Sequence, residues 1–287
     1  MHNTNIKYVP IDFIKTQVIG IDTKDLLKQL EGIEPKSIYK GELLTKTIYK
    51  HKNLSIKFFE NNNRIELSGS LHTYFNEGLH NHNDFSLTNF RTALNLLYHN
   101  LKIKPENLYI IHLEWGYNIE PPYKTNNVID NIIQHKCVNK TLGIDSNQEG
   151  KYSEFKHAHY RFKIYNKAKH FKLNKELIRF EIKQTNWSKF RAKNIFTLKD
   201  FINSDATIFL NELLEQINNL VIYDLDINNQ NYKYQTPKYW NELRQKYSYK
   251  TVKYHKDKLN KLSITEGLNT KQLLINSIIK KGKEIQL

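Results

Sequence analysis

One cysteine, Cys137, stands among 287 residues, which excludes an internal disulfide and any zinc cluster built on several thiolates, and suits a reducing compartment such as the cytoplasm. Glycine and proline are sparse, at 10 and 6, so no flexible linker or low-complexity stretch announces a boundary. No run approaches 18 apolar residues, and the opening MHNTNIKYVPIDFIK has no basic head before a long apolar stretch. Neither a membrane span nor secretion is expected. Acidic side chains are outnumbered, 29 against 44 basic ones, for a formal charge of +15. Such an excess asks for a polyanionic partner: nucleic acid, an acidic substrate or an anionic membrane surface. An AT-rich genome also inflates lysine, so the total alone does not choose among them. Arginine is scarce, six residues against 38 lysines, which makes each of its positions informative.

What is present describes a globular chain. Hydrophobic residues make up 39% and aromatics 12%, ample for a core and far above a disordered basic tail. Short alternating runs, TKTIYKH, LSIKFFE and RIELSG with a turn at Asn61 to Asn63, predict an antiparallel meander before position 75. Phe90, Ala93, Leu94, Leu96, Leu97 and Leu101 recur near helical spacing behind a Ser86 cap, so Phe85 to Leu101 reads as a helix covering the sheet. Strands follow at Leu108 to Trp115, His157 to Tyr165 and Ile178 to Lys183, with a loop and a short helix near Val128 to Ile133 filling Pro121 to Gly150. After Asn203 the period turns helical, through ATIFLNELLEQINNL, YWNELRQKY and a basic helix from Thr270 to Lys281. The expected class is α+β, a central antiparallel sheet with covering helices, divided into 1–204 and a helical region 205–287 that is a candidate for DNA binding.

Side chains alternate across a strand, so each alternating segment states which residues share a face. In 157–165 the even positions, Ala158, Tyr160, Phe162 and Ile164, are suited to a core; the odd ones are His157, His159, Arg161, Lys163 and Tyr165. Ile178 to Lys183 repeats this, with Arg179, Glu181 and Lys183 turned outward. Leu108 to Trp115 places His112 and Glu114 on its polar side. Were these strands neighbours, two carboxylates, several imidazoles, at least four cations and a tyrosine would share a surface. Half-buried antiparallel strands produce the same alternation, and a carboxylate among cations is as readily a salt-bridge partner as a metal ligand. The charge pattern is more selective: Lys151 to Lys193 holds 13 basic and 3 acidic residues, a net +10 in 43 positions. Arg161 and Arg179 lie inside it, and their planar forks match phosphate.

The segments RFKIYNKAKHF (161–171) and LIRFEIKQTNWSKF (177–190) resemble those of phage and plasmid replication initiators of the rolling-circle class, similar to filamentous-phage origin-nicking proteins. IELSGSLHTYFNEGLHNHNDFS (65–86) resembles the Gly-Ser turn and Asn-rich loop of that class, HLEWGYNIEPP (112–122) its acidic strand, and PKYWNEL (237–243) a motif of its phage branch. The resemblance spans about 60–245. It implies a Rep nuclease-like fold and a metal-dependent site-specific nickase and strand transferase, in which Tyr165, within Tyr-x-Lys, is the nucleophile, assisted by Lys163 and Lys167. Mg²⁺ or Mn²⁺ would be held by Glu114 and Glu181 with His112, His157 or His159. Arg161, Lys169, Arg179, Lys183 and Arg191 would bind DNA, a single-stranded or locally melted origin, alongside a host helicase and polymerase and without a membrane.

The chain departs from the pattern in three places, the mildest being Glu114 on the acidic strand where relatives often have Asp. An acid usually follows Tyr-x-Lys, where this sequence has Lys169 and His170, and many relatives carry their histidine pair on a strand separate from the tyrosine. Two other functions use the same residues: a non-catalytic single-strand binder stacking its Tyr and Phe on bases, and a nuclease in which water replaces Tyr165.

Overall fold

The computed structural model describes residues 6–41, 45–144, 150–225 and 230–286. Its strands are β1 (Ile11–Val18), β2 (Ser37–Lys40), β3 (Thr45–His51), β4 (Leu54–Phe59), β5 (Arg64–Ser70), β6 (Leu108–Ile119), β7 (Ile132–His135), β8 (Val138–Asn139), β9 (Thr141–Ile144), β10 (Lys151–Lys156), β11 (Tyr160–Asn166), β12 (Ile178–Gln184) and β13 (Leu220–Ile222). The class is α+β, with extensive antiparallel sheet and a helical C-terminal region. Two compact units divide it. The first comprises the described residues of Asn5–Gly116, Lys183–Ile208 and Glu284–Leu287, the second those of Tyr117–Ile182 and Phe209–Lys283.

In the first unit the expected meander forms β3, β4 and β5, paired antiparallel with Tyr49 opposite Ile56 and Ile56 opposite Leu67. The sheet order there is β2-β3-β4-β5-β1-β6. Thus β1, which carries no turn-flanked alternation in the sequence, occupies an interior place, Ile14 lying opposite both Gly69 of β5 and Leu113 of β6. The helix Leu87–Leu101 begins where its sequence says it should: the Ser86 side chain accepts the Asn89 N–H, and Phe90, Ala93, Leu94, Leu97 and Leu101 are buried. Burial of each of the larger of these side chains contributes about 1.5–3 kcal/mol.

Gly69 marks a close approach between β5 and the β3–β4 turn. A Cβ there would stand 3.0 Å from the Asn53 carbonyl oxygen and 3.1 Å from Leu54 Cα, both main-chain atoms that cannot swing aside. Gly69→Ala is therefore expected to destabilise the first unit by about 1–3 kcal/mol, read as a lower denaturant midpoint.

The second unit has the sheet order β12-β11-β10-β9 and a smaller sheet β13-β7-β8. Its helices include Thr125–Asn131, Pro237–Lys246, Tyr249–Thr265 and Thr270–Glu284. Ile133, Val221, Tyr223, Leu225, Tyr234, Trp240, Leu243, Val252 and Leu259 form one buried cluster, so the helices Pro237–Lys246 and Tyr249–Thr265 pack with β7 and β13. The short helix expected near Val128 to Ile133 is present as Thr125–Asn131, but the rest of 121–150, expected to be loop, also contains strands β7 to β9, while 145–149 lie outside the described residues. The reason is long-range pairing: His135 of β7 lies opposite Leu220 of β13, a partner that local pattern does not reveal.

The strand expected over 157–165 begins only at Tyr160, as β11, the second strand of a hairpin with β10. The hairpin's turn covers 157–159, closed by a His157 N–H donated to the Tyr160 carbonyl at 2.9 Å, and Ala158 is exposed rather than inward.

Candidate functional site

From the turn onward the alternation holds. Phe155, Phe162 and Ile164 are fully buried, and the opposite face of the β10–β11 hairpin carries Tyr152, Glu154, Lys156, Arg161, Lys163 and Tyr165. Register sets Tyr152 opposite Tyr165 and Glu154 opposite Lys163. The Lys163 ammonium lies 4.8 Å from the Tyr152 ring centroid and 5.0 Å from that of Tyr165, within the range where a cation is attracted by both π faces. Tyr152 lies directly over Gly143 of β9, where a side chain would collide with its ring. Glu154 sits 3.6 Å from Lys156 and 3.8 Å from Arg161, ion pairs weakened by solvent.

Tyr165 is half-buried and ends its strand against a built corner. Asn166 caps the turn Lys167–His170, its side chain accepting the Lys169 N–H at 3.0 Å while its amide donates to Asn126 Oδ1 at 2.9 Å. The Lys167 and Ala168 N–H groups donate to the Leu177 carbonyl. Lys167 itself is fully buried, its Nζ 5.7 Å from the Phe171 ring, so it belongs to the corner's interior. Lys169 is exposed, and the His170 ring stands edge-on 6.4 Å from Tyr165. Glu176 accepts from the Thr125 hydroxyl at 2.5 Å and its N–H at 2.8 Å, bonds that hold its carboxyl below the usual range.

The Phe162 and Phe180 rings, 6.4 Å apart, show that even positions of β11 and β12 share the apolar face. Arg179 and Glu181 therefore lie on the side of Tyr165, as the alternation implies, but they are not open to solvent. Arg179 is 2% and Glu181 9% exposed; Arg179 Nε donates to Glu181 Oε2 at 2.7 Å and its Nη1 to Asn118 Oδ1 at 3.0 Å. Expected as an outward phosphate contact, Arg179 is instead the cation of a buried ion pair, because both faces of β12 are covered.

The first unit holds the other expected residues. Glu114 is paired with Lys183, whose ammonium also lies 5.2 Å from the Phe13 ring. Burial, then the charges of Lys15 and Lys183, push His112 below the ordinary imidazole range. Arg191 lies 5.2 Å from the Tyr109 ring and donates to the Ile110 carbonyl at 3.4 Å, a packing position. Among the described residues, no three His, Cys, Asp or Glu side chains come together in a way that could hold a metal ion. With both carboxylates committed to cations, the donor set as arranged does not fit Mg²⁺ or Mn²⁺.

Two polar clusters were not found by sequence reasoning. Buried Asp12 accepts from Ser70 Oγ at 2.6 Å and Asn81 Nδ2 at 2.8 Å, tying β1 to the Asn-rich loop; an acid inside the apolar run IDFI was the available signal. Beside it, buried His72 of the short helix Leu71–Phe75 bonds Asn83 of that loop at 2.7 Å and stacks on Phe85.

His157 and His159 do not form a pair on a strand. His159 is exposed, whereas His157 stacks on Tyr160 and its Nε2 lies 2.8 Å from Nδ1 of His135. Burial above all, with the charges of His157, Lys136 and Lys256, pushes His135 down to about 2. The folded state keeps this ring neutral while the unfolded chain protonates near pH 6.5. The contribution of His135 to the stability of the second unit is thus expected to be constant above about pH 6.5 and to fall below it by up to about 1.4 kcal/mol per pH unit. Denaturant midpoints at several pH values test this, and His135→Gln should flatten the slope.

No protein-family model matches the sequence, and no curated protein matches it. Among solved structures, the chain is similar to a rolling circle replication initiator protein from Geobacillus stearothermophilus, at 12% identity, over 78% of this chain and 89% of that one, with a TM-score of 0.40.

Proposed function

We propose that this chain nicks one strand of DNA through Tyr165 and later rejoins it, as an initiator of rolling-circle replication. The observation that carries the reading is the polar face of the β10–β11 hairpin, where a half-buried phenol ends a strand beside Lys163 and shares its side with Arg161. Tyrosine titrates near 10 in water, so attack near neutral pH needs positive charge beside the developing phenolate. Lys163 supplies it, while Arg161 offers a fork to the strand's phosphate.

In the forward step the Tyr165 oxygen bonds to phosphorus, the P–O3′ bond breaks, and the departing 3′ oxygen takes up a proton. The result is a phosphotyrosine at the 5′ end. Because no water has entered, the phosphoester energy is kept, and a later 3′-hydroxyl reverses the step and releases the tyrosine. The part of a divalent ion is tested by comparing adduct formation in Mn²⁺ with that in EDTA.

A second reading, binding of single strands without chemistry, is favoured by four exposed rings in the C-terminal region, Tyr232, Tyr247, Tyr249 and Tyr254. Incubation with single-stranded origin DNA followed by a denaturing gel separates the two. A covalent protein-DNA band is expected; DNA that is bound but neither cut nor attached would leave the second reading standing, and cleavage without a band would make water the nucleophile.

A further inference from the structure

The helix Tyr249–Thr265 turns Tyr249, Lys253, Lys256 and Asn260 to one side, at the four- and three-residue spacing of a single helical face. Together with Lys271, from the first turn of the next helix, they line a cavity of about 140 Å³ floored by Leu220 and Val221. Three lysines thus border one small space, against a single acidic residue of the lining, Asp257. Lys271 donates to the Asn218 carbonyl at 3.2 Å and Asn260 Oδ1 at 2.8 Å, both neutral oxygens. Burial and the charge of Lys256 push its ammonium down to about 8, with Asp257 and Asp224 acting the other way. Lys256 is lowered too, chiefly by burial. Cations crowded together without matching counter-charge are stabilised by an anion that enters between them.

We infer that this cavity is a phosphate-binding site, separate from the residues assigned to nicking. Its size selects the ligand: pockets that enclose a whole small molecule run to roughly 300–1,000 Å³, so this one fits a phosphate group and not a complete nucleotide. The group arrives either as free phosphate or on a nucleic-acid strand. Tyr249, 78% exposed at the rim, offers a ring on which the adjoining base of a strand can stack.

The test uses the full-length chain. Calorimetric titration with inorganic phosphate, at constant ionic strength against a chloride control, is expected to show saturable binding that Lys256→Gln/Lys271→Gln weakens by about tenfold or more, as expected when charge-assisted contacts are lost. Lys238→Gln, outside the cavity, should bind as the parent does. Anisotropy of a labelled single-stranded oligonucleotide distinguishes the sources. If a strand supplies the phosphate, the double variant binds it less tightly with a salt slope reduced by roughly 0.7 per lost contact, and Tyr249→Ala weakens it further. If free phosphate is the ligand, oligonucleotide affinity is unchanged while phosphate binding is lost. Should the double variant fail to fold, Lys253→Gln, at an exposed position, is expected to lower phosphate affinity several-fold. The inference is overturned if the intact chain binds neither phosphate above the chloride control nor the oligonucleotide through these lysines. Tyr165→Phe leaves the phosphate titration unchanged, so failure of the nicking reading and failure of this one are told apart.

Discussion

Tyr165→Phe is expected to abolish both the covalent adduct and rejoining, a loss of about 10³-fold or more, while single-strand binding and thermal stability stay near those of the parent. Only one oxygen is removed, and the ring keeps its place beside Lys163 and His170. Two other tyrosines make the comparison strict. Tyr152, directly opposite across the hairpin, shares the Lys163 ammonium and is the substitute nucleophile most favourably placed. Tyr160 donates its hydroxyl to Gln216 at 2.8 Å, with its phenol pushed up chiefly by burial. Tyr160→Phe should therefore cut and join nearly as the parent does. An adduct that survives in Tyr165→Phe but disappears in Tyr152→Phe would move the nucleophile across the hairpin, and one that survives in both would remove it from this face.

The second large effect concerns stability. Arg179→Ala leaves Glu181 buried without its guanidinium, and Glu181→Ala leaves Arg179 buried without its carboxylate, so each is expected to destabilise the second unit by about 3–5 kcal/mol in denaturant titrations. Arg179→Met/Glu181→Leu, which replaces both charges by apolar groups, should recover much of that loss. This separates structure from chemistry at a position where the sequence suggests DNA contact. A double variant that is stable and still forms the adduct would assign the pair to the fold alone. One that is stable and inactive would place Glu181 in the reaction. Lys183, by contrast, is half-buried and paired with Glu114 near solvent, and its replacement should cost far less.

Much of the architecture was legible where partners are near in sequence. The β3–β4–β5 meander and the Ser86-capped helix are written in alternation, turn residues and a cap, all of which act within a few positions. What failed depended on distant partners: β1, a short run whose neighbours β5 and β6 come much later, and β7, which waits for β13. The site shows the same division. That Lys163 and Tyr165 share a face follows from period two, and so does the placing of Arg179 and Glu181 on it. Burial does not follow, because alternation says which side a residue takes and nothing about what covers that side. Likewise, His157 and His159 were placed on a strand because the pattern could not see the hairpin turn that sends one ring onto His135 and the other into solvent.

The interior position of β1 has a consequence for synthesis. As the chain leaves the ribosome, Ile14 must wait for Gly69 and then for Leu113, itself 99 residues beyond Ile14, before both of its edges are paired. Until then a strand carrying Ile11, Phe13, Ile14 and Val18 is left with open hydrogen-bonding edges, the kind of segment that invites aggregation or a holding chaperone. Arrested nascent chains released before β6 emerges should accordingly be protease-sensitive throughout, and those released after it should acquire a resistant core in a single step.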